Sequence, residues 1–485
     1  MSWSRREVLA TLGVASAQAI LVACGAPQRT SRRGTQLESP EIRTWLRDAV
    51  SVLRGAGFEN VHVLAVRRNR ITAALDVLGG GVARSTSDGV VMSVRDRDGA
   101  RREHVTNTLS RDGVAEAARV LAGSKVKAAK VDFGMMPPLP LVTKPDPGSL
   151  TDGMFLARVA AMAQSDRDEH GDVVVSSRIV YSAALIDVDD AHVWSVAPGR
   201  DLEQRNVRIR KSITRVAWNG TRPVVAEAAR AYAGGIDEFD LPVADIAKAR
   251  EDALALMTPT TFPDGEHVVL LEPGVAAALI DAAARAMLTT SVARRPEVAA
   301  RLAKAPALGA AITLVDDPRA RWAYGGYEFD DAGVVAQPIS LIERGKLSAR
   351  IGDGRGRRAG HVGTLEPQSS HLRLTAGRES QLGLLDKGFV LEGVLDVKID
   401  PASDRLVVSV ARARERVNKT DTGRVFADIE LVGSLAQVLG SVDELSSEVQ
   451  SIGFRDERND RPRWRSVETP WLRTKALLRA RRGLT

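Results

Sequence analysis

The stretch HVVLLEPGVAAALIDAAARAM (267–287) predicts a buried strand that leads directly into a helix. The run HVVLLE (267–272) is short and apolar, as expected of a buried strand, and Pro273 suits the first turn of the helix that follows. Many hydrolases place catalytic groups where a strand meets a helix, yet Asp281 and Arg285 are the only polar side chains in PGVAAALIDAAARAM (273–287). This scarcity of polar groups is the main clue to function.

The chain on both sides of this stretch predicts strands and helices in a mixed order. Four helices are expected, near 42–53, from Ser110 to about Leu121, at 150–162 and at 243–257. Strands are expected at 60–68, 70–78, 89–97, 177–189 and 207–218. Asn219–Gly220 after the last of these is typical of a β-hairpin turn. Because the elements do not alternate regularly, we predict an α+β fold.

A length of 485 residues favours two domains. We expect an N-terminal mixed α/β domain over 41–258, with subregions 41–125 and 149–258 on either side of a proline-rich connector. The C-terminal domain, over 259–485, is predicted to be rich in antiparallel strands with some helices and to end in a basic tail.

The N-terminus has the organisation of an export signal over residues 1–23. Arg5 and Arg6 precede an apolar run that is shorter than the ~20 residues needed to cross a bilayer. The arginine pair is typical of a twin-arginine (Tat) signal, and the lipobox-like Leu21–Cys24 predicts lipidation of Cys24. Residues 24–40 then form a polar tether. We therefore expect a cell-envelope protein, exported by the Tat route and lipid-anchored on the periplasmic side of the inner or the outer membrane.

Composition excludes several functional classes. Cys24 is the only cysteine, so an intrachain disulfide is excluded and no thiolate remains in the folded body for metal binding or nucleophilic attack. The net charge of +7 is concentrated at 454–485, where ten Arg or Lys residues stand against four acids. The remaining body is close to neutral, which argues against a nucleic-acid-binding protein.

The basic tail has two interpretations. Clustered cations could bind anionic lipid headgroups beside the anchored N-terminus. The tail could instead be a last amphipathic helix that docks on the body through Trp471, Leu472, Leu477 and Leu478. We expect the second.

Several segments in collinear order resemble the TldD/PmbA family. YEFDDAGVVAQPISLIERGKLSARIGD (327–353) is similar to the family segment that runs from an Asp-Asp-x-Gly turn through a Leu-Ile-x-x-Gly-x-Leu hairpin. VFADIELVGSLAQVLGSVDEL (425–445) is similar to its closing strand and helix. GGGVARSTSDGVVMSV (79–94) and LSRDGVAEAARVLA (109–122) match its early strands and helix, so the resemblance spans about 41–470.

The resemblance implies where a zinc site would lie. Active members carry HExxxH on the helix after the first strand of the second domain, and these three positions are Ile280, Asp281 and Arg285 here. A further thiolate ligand is expected around 453–457, where this chain has no cysteine. The family's Arg-x-Thr-Asn appears as Arg373–Ala376, without the asparagine. The resemblance is thus to PmbA-type (TldE) members, so no cofactor is predicted although active relatives use zinc.

No other set of residues predicts a site. The seven histidines include no pair at helical ligand spacing, and His361 and His371, ten residues apart, are the pair that folding could bring together. Asp330–Asp331 fits a turn better than a carboxylate pair, because neighbours on a strand point to opposite faces. The segment GDGRGRRAGHVG (352–363) lacks the arrangement of a phosphate-binding loop and is expected to be a mobile loop.

The sequence therefore predicts no catalytic and no metal-binding residues, leaving Cys24 for lipidation and Arg5 and Arg6 for export. The resemblance implies a catalytically degenerate subunit of a metallopeptidase-like complex that acts on unfolded peptides, as a homodimer or with a catalytic TldD-type partner. Two alternatives stay open: an active metallopeptidase with ligands arranged differently, and a stand-alone envelope scaffold or binding lipoprotein.

Overall fold

The computed structural model describes residues 39–76, 79–96, 98–123, 130–133, 147–170, 179–218, 223–257, 261–302, 307–352, 357–359, 365–458 and 461–481. Several predicted features lie outside these residues. They are the export signal with Arg5 and Arg6, Cys24, the tether up to residue 38, most of the proline-rich connector, the Asn219–Gly220 turn and His361.

The described residues of the first half form four α-helices and six strands. The helices are α1 (Ser39–Gly55), α2 (Arg111–Ala122), α3 (Asp152–His170) and α4 (Val243–Ala255). The strands are β1 (Glu59–Asp76), β2 (Gly79–Arg95), β3 (Arg101–Thr106), β4 (Ile179–Ala197), β5 (Arg200–Trp218) and β6 (Pro223–Ala233). The four predicted helices are confirmed, and the Ser110 side chain caps α2 by accepting a hydrogen bond from Gly113 N.

The second half is dominated by strands. They are β7 (Gly265–Leu271), β8 (Leu314–Asp316), β9 (Ile339–Glu343), β10 (Lys346–Leu347), β11 (Arg357–Ala359), β12 (Leu365–Pro367), β13 (His371–Leu374), β14 (Gly388–Asp400), β15 (Arg405–Val417), β16 (Thr420–Ser434), β17 (Glu444–Arg458) and β18 (Arg461–Ala480). The helices are α5 (Pro273–Ala283), α6 (Thr290–Ala293), α7 (Pro296–Leu302), α8 (Gln381–Leu384) and α9 (Leu435–Gly440). A π-helical turn, Ala284–Leu288, extends α5.

The long strands assemble into two large sheets. The first is antiparallel, in the order β3-β2-β1-β4-β5-β6. The second has ten strands in the order β10-β9-β8-β13-β18-β16-β15-β14-β7, and β17 pairs with β18. It is mixed, because β13 runs parallel to β18 and β14 parallel to β7, while its other pairings are antiparallel. The predicted α+β class is confirmed.

The first sheet has one apolar face and one polar face, as the alternation of side chains along a strand requires. Val61, Val63 and Ala65 of β1 join the core beneath α1 and α2, and a second core beneath α3 and α4 covers the other end of the same face. The alternate positions carry Arg68 and Arg70, which lie on the side of the second half of the chain.

Residues 461–480, which include the segment predicted to be a last helix, form a strand, so that prediction was wrong. Along β18, Leu472, Thr474, Ala476 and Leu478 are buried, whereas Lys475 and Leu477 are exposed. This two-residue period belongs to a strand, and the adjacent Leu477 and Leu478 therefore face opposite sides of the sheet. Strands β17 and β18 also follow α9, so the 425–445 segment does not close the fold.

Ion pairs take up much of the charge in the basic tail. Arg473 forms a pair of hydrogen bonds with Asp443, each 2.9 Å long. Arg479 lies 2.7 Å from Glu430, and Arg481 lies 3.4 Å from Asp428. These pairings within the second sheet reduce the charge that is free to attract a lipid surface.

The contact between β17 and the first sheet gives a stability prediction. A methyl group on Gly453 would lie 2.4 Å from Cβ of Ala231 and 3.0 Å from the Tyr324 ring. We expect Gly453→Ala to lower the free energy of unfolding by about 1–3 kcal/mol through overpacking, measured by urea denaturation. Gly433→Ala is the matched control, because its nearest atom would be 3.5 Å away. An equal decrease in the free energy of unfolding for the two variants would contradict this close packing at Gly453.

Candidate functional site

Helix α5 is almost wholly buried, which explains its lack of polar residues. It starts at Pro273, directly after β7 and Glu272, and packs against the second sheet in the largest apolar core of the described residues. Of its eleven residues, nine are buried. A helix that is apolar on all sides belongs in a protein interior, so the bare sequence reflects packing against the sheet.

The motif positions implied by the family resemblance end in a π-helical turn. Backbone hydrogen bonding changes register at Ala284, just before Arg285. Ile280 and Asp281 belong to the α-helical part of α5, and Arg285 lies in the π turn that follows it.

Asp281 is the polar centre of this region. Its side chain is 3 % exposed and forms two hydrogen bonds with Arg465 of β18, from Nε to Oδ1 at 2.7 Å and from Nη2 to Oδ2 at 3.2 Å. Arg285 Nε lies 3.1 Å from Asp281 Oδ2, with the Arg285 side chain half-exposed. The carboxylate is thus held between two guanidinium groups, one buried and one at the surface.

Arg465 contacts a second carboxylate. Its Nη2 lies 2.9 Å from Asp456 Oδ2, and Asp456 is partly exposed. Burial alone would lower the pKa of Arg465, but Asp281 and Asp456 outweigh this effect and raise the pKa above its usual value. Two acids and two arginines therefore form a charge-balanced cluster.

These residues do not fit a zinc ion. Ile280 is 2 % exposed and offers no donor atom, while both oxygens of Asp281 already bind Arg465. At Gly453, in the segment where a thiolate ligand is expected, even a methyl group would overlap Ala231. No group of three or more His, Cys, Asp or Glu side chains suited to a metal ion occurs within the residues that the structure describes.

A second charged cluster lies at the start of α5. Lys248 Nζ of α4 lies 2.8 Å from Glu272 Oε2, and Arg412 Nε lies 2.7 Å from Asp252 Oδ1 and 3.1 Å from Glu392 Oε2. Burial raises the pKa of Glu272 despite the nearby Lys248. Burial would raise that of Glu392 too, but hydrogen bonds from an arginine of β15 lower it. Here too, protein cations neutralise carboxylates.

The opposite face of the β17–β18 hairpin contacts the polar face of the first sheet. Arg68 and Arg208 lie over the Trp464 ring, with Cζ 4.7 and 4.3 Å from its centroid. Arg455 of β17 forms an ion pair with Asp187 of β4. The hairpin thus joins the two sheets through arginine contacts.

The other candidates from the sequence are structural. Asp330 Oδ1 accepts hydrogen bonds from the backbone of Ala332 and Val334, both at 2.9 Å, which confirms the predicted turn. Arg373 pairs with Glu468 at 3.2 Å. His371 is 2 % exposed, and its Nδ1 lies 2.8 Å from the Ser466 hydroxyl.

Sequence reasoning missed Arg465. An aspartate in an apolar helix signals that a buried cation must accompany it. The sequence does not say which of the many arginines this is, because Arg465 lies 184 positions away from Asp281. The contact depends on the position of β18 in the second sheet.

Comparison with known proteins links the second half to one family. Residues 264–478 match the model of the PmbA/TldA metallopeptidase C-terminal domain. No curated protein matches the chain in sequence. Within the described residues, no helix is both long and apolar enough to span a membrane.

Solved structures share the whole fold at low sequence identity. A candidate modulator of DNA gyrase from Bacteroides thetaiotaomicron has a TM-score of 0.69 and 15% identity, covering 91% of this chain and 98% of its own. A second such protein, from Thermotoga maritima, has a TM-score of 0.62 and 16% identity, with coverages of 90% and 99%. TldE from Thermococcus kodakarensis has a TM-score of 0.62 and 16% identity, with coverages of 88% and 98%. The fold extends over both halves of the chain.

The environment of His371 predicts acid sensitivity. Burial lowers its pKa to about 4, assisted by Arg373 and opposed by Glu468 and Asp317. The unfolded state therefore takes up the proton first as the pH falls from 6.5 towards 4, and stability decreases by up to about 1.4 kcal/mol per pH unit.

We expect His371→Asn to lose less stability than the wild type over this pH range, measured by urea denaturation at several pH values. Acidic groups elsewhere titrate in both proteins, so the difference between them isolates His371. If the free energy of unfolding changes with pH in the same way in the wild type and in His371→Asn, the acid sensitivity does not come from His371.

Proposed function

We propose that this chain is an exported, lipid-anchored protein of the TldD/PmbA family and serves as a non-catalytic, PmbA/TldE-type subunit of a metallopeptidase-like complex that acts on unfolded peptides. The observation that carries the proposal is the contact between Asp281 and Arg465. At the second position of the implied metal motif, the carboxylate binds a guanidinium group. A buried arginine stays protonated and repels a metal cation.

The comparisons support the family part of this proposal. The match over 264–478 covers α5, the β17–β18 hairpin and almost all of the second sheet. One of the structural neighbours is a TldE protein, and it shares the fold over both halves. The proposed class therefore agrees with both kinds of similarity.

The geometry of α5 supports a non-catalytic role over an unusual active site. Hydrolysis by a metal-activated water needs an open coordination position and at least three protein ligands. Asp281 is enclosed, Ile280 is apolar, and Arg285 brings a positive charge to the third position. Such a chain would contribute to peptide handling by binding or by positioning a partner.

The proposed assembly is a homodimer or a heterodimer with a catalytic TldD-type subunit. In the heterodimer, the partner would supply the zinc and this chain would help to hold the unfolded peptide. Lipidated Cys24 would keep the assembly at the periplasmic side of a membrane.

The first test measures metal and proteolysis. We expect the purified protein from residue 25 onwards to bind much less than one zinc per chain, by elemental analysis, and not to cleave unfolded polypeptide in the presence of zinc. A TldD-type relative with intact HExxxH, purified in the same way, is the positive control. Stoichiometric zinc together with peptide cleavage by this chain alone would overturn the proposal.

The second test concerns export. We expect Arg5→Lys with Arg6→Lys to retain the precursor in the cytoplasm, because the arginine pair identifies a Tat substrate. Cys24→Ser should still be exported but should lose lipid labelling and appear in the soluble fraction. Radiolabelled fatty-acid incorporation and fractionation measure both effects. Unchanged labelling of the Cys24→Ser protein would refute lipidation at this residue.

A further inference from the structure

The Arg465 guanidinium lies where the second sheet meets the implied metal motif on α5. Its side chain is 4 % exposed and the Asp281 side chain 3 %, so neither charge is shielded by bulk water. An isolated carboxylate in such a place would be strongly destabilising. Arg465 supplies the positive charge that offsets Asp281 at this place in the fold.

We propose that Arg465 is a built-in cation that performs the structural part of a metal's role: its guanidinium fills a cation site formed by the carboxylates of Asp281 and Asp456. The inference uses the proposed function only to equate Asp281 with a motif position. The site itself rests on the contacts, and it holds whether or not the chain has a peptidase partner.

The geometry of the contacts fits a guanidinium group specifically. Nε and Nη2 of Arg465 donate to the two oxygens of Asp281, and Nη2 also lies 2.9 Å from Asp456. A planar fork that meets a carboxylate with two bonds is characteristic of arginine. A lysine ammonium would keep the charge but would lose the paired geometry.

The site joins three elements that are distant in sequence. Asp281 belongs to α5, Asp456 to β17 and Arg465 to β18. On β17, Phe454 is the direct partner of Arg465, and Asp456 is the next residue on the same face. The cation thus ties the helix to the hairpin, as a coordinated ion would.

Removing the side chain should create a site for a free cation. Arg465→Ala leaves space enclosed by two carboxylates and by the backbone of β18. Guanidinium chloride at millimolar concentration, far below the range that unfolds proteins, supplies an ion of the same shape and charge. Urea is the neutral control of similar shape, and sodium chloride controls for ionic strength.

We expect Arg465→Ala to lower the melting temperature by about 5–10 °C, as for loss of one partner of a buried pair. Millimolar guanidinium should recover part of this shift, whereas urea and sodium chloride at equal concentration should not. Differential scanning fluorimetry measures the shift. No guanidinium-specific recovery in a folded Arg465→Ala protein would overturn the cation site.

A double-mutant cycle keeps the inference testable if Arg465→Ala does not fold. Asp281→Asn and Arg465→Gln each leave one charge buried without its main partner, whereas the double variant places two neutral amides together. We expect the double variant to melt above both single variants. If the melting temperature of the double variant falls by the sum of the decreases in the two single variants, the residues are not coupled and the inference is overturned.

Arg473→Ala is the matched control. Arg473 lies on the same strand and also makes two hydrogen bonds to one aspartate, Asp443, but that aspartate is half-exposed. Its removal should cost much less than that of Arg465, since exposed ion pairs contribute little, and guanidinium should give no recovery. An equal cost and an equal recovery at both positions would contradict a special cation site at Arg465.

Discussion

The buried charge of Asp281 constrains the second half of this protein. A carboxylate inside an apolar core needs partners that offset its charge and fill its hydrogen-bonding capacity. Arg465 offsets the charge of Asp281 and donates a hydrogen bond to each of its two carboxylate oxygens. Because Arg465 belongs to β18, the position of this strand relative to α5 follows from the same interaction. Without it, α5 would lose its polar attachment to the strand.

The interior of the chain repeatedly neutralises acids with its own cations. Lys248 and Arg412 do so at the start of α5, and Arg68 lies 3.3 Å from buried Asp189 between the two sheets. A metal ion entering such a cluster would have to displace a cation that is attached to the chain. This arrangement favours a fixed, charge-balanced interior, and it gives a physical reason why carboxylates are present there without a metal-binding set.

The periodicity of apolar residues predicted local secondary structure but not the contacts between distant segments. The periodic apolar residues near 42–53 predicted α1, and Ser110 predicted the start of α2, because both signals lie within a few turns of one element. The prediction of a helix in the basic tail was wrong because Leu477 and Leu478 are adjacent. Adjacent apolar residues are compatible with one face of a helix and also with the two faces of a strand. The role of Arg465 was not predicted for a related reason. It depends on which strand lies beside α5, and this is set by contacts between residues far apart in sequence.

The β17–β18 hairpin extends the effect of the Asp281 pair beyond the second sheet. Neighbouring residues of a strand point to opposite faces, so Arg465 binds α5 while Trp464 packs against Arg68 and Arg208 of the first sheet. A hairpin held on both faces cannot shift at one face without straining the other. The guanidinium therefore attaches α5 to a strand whose opposite face contacts the polar face of the first sheet.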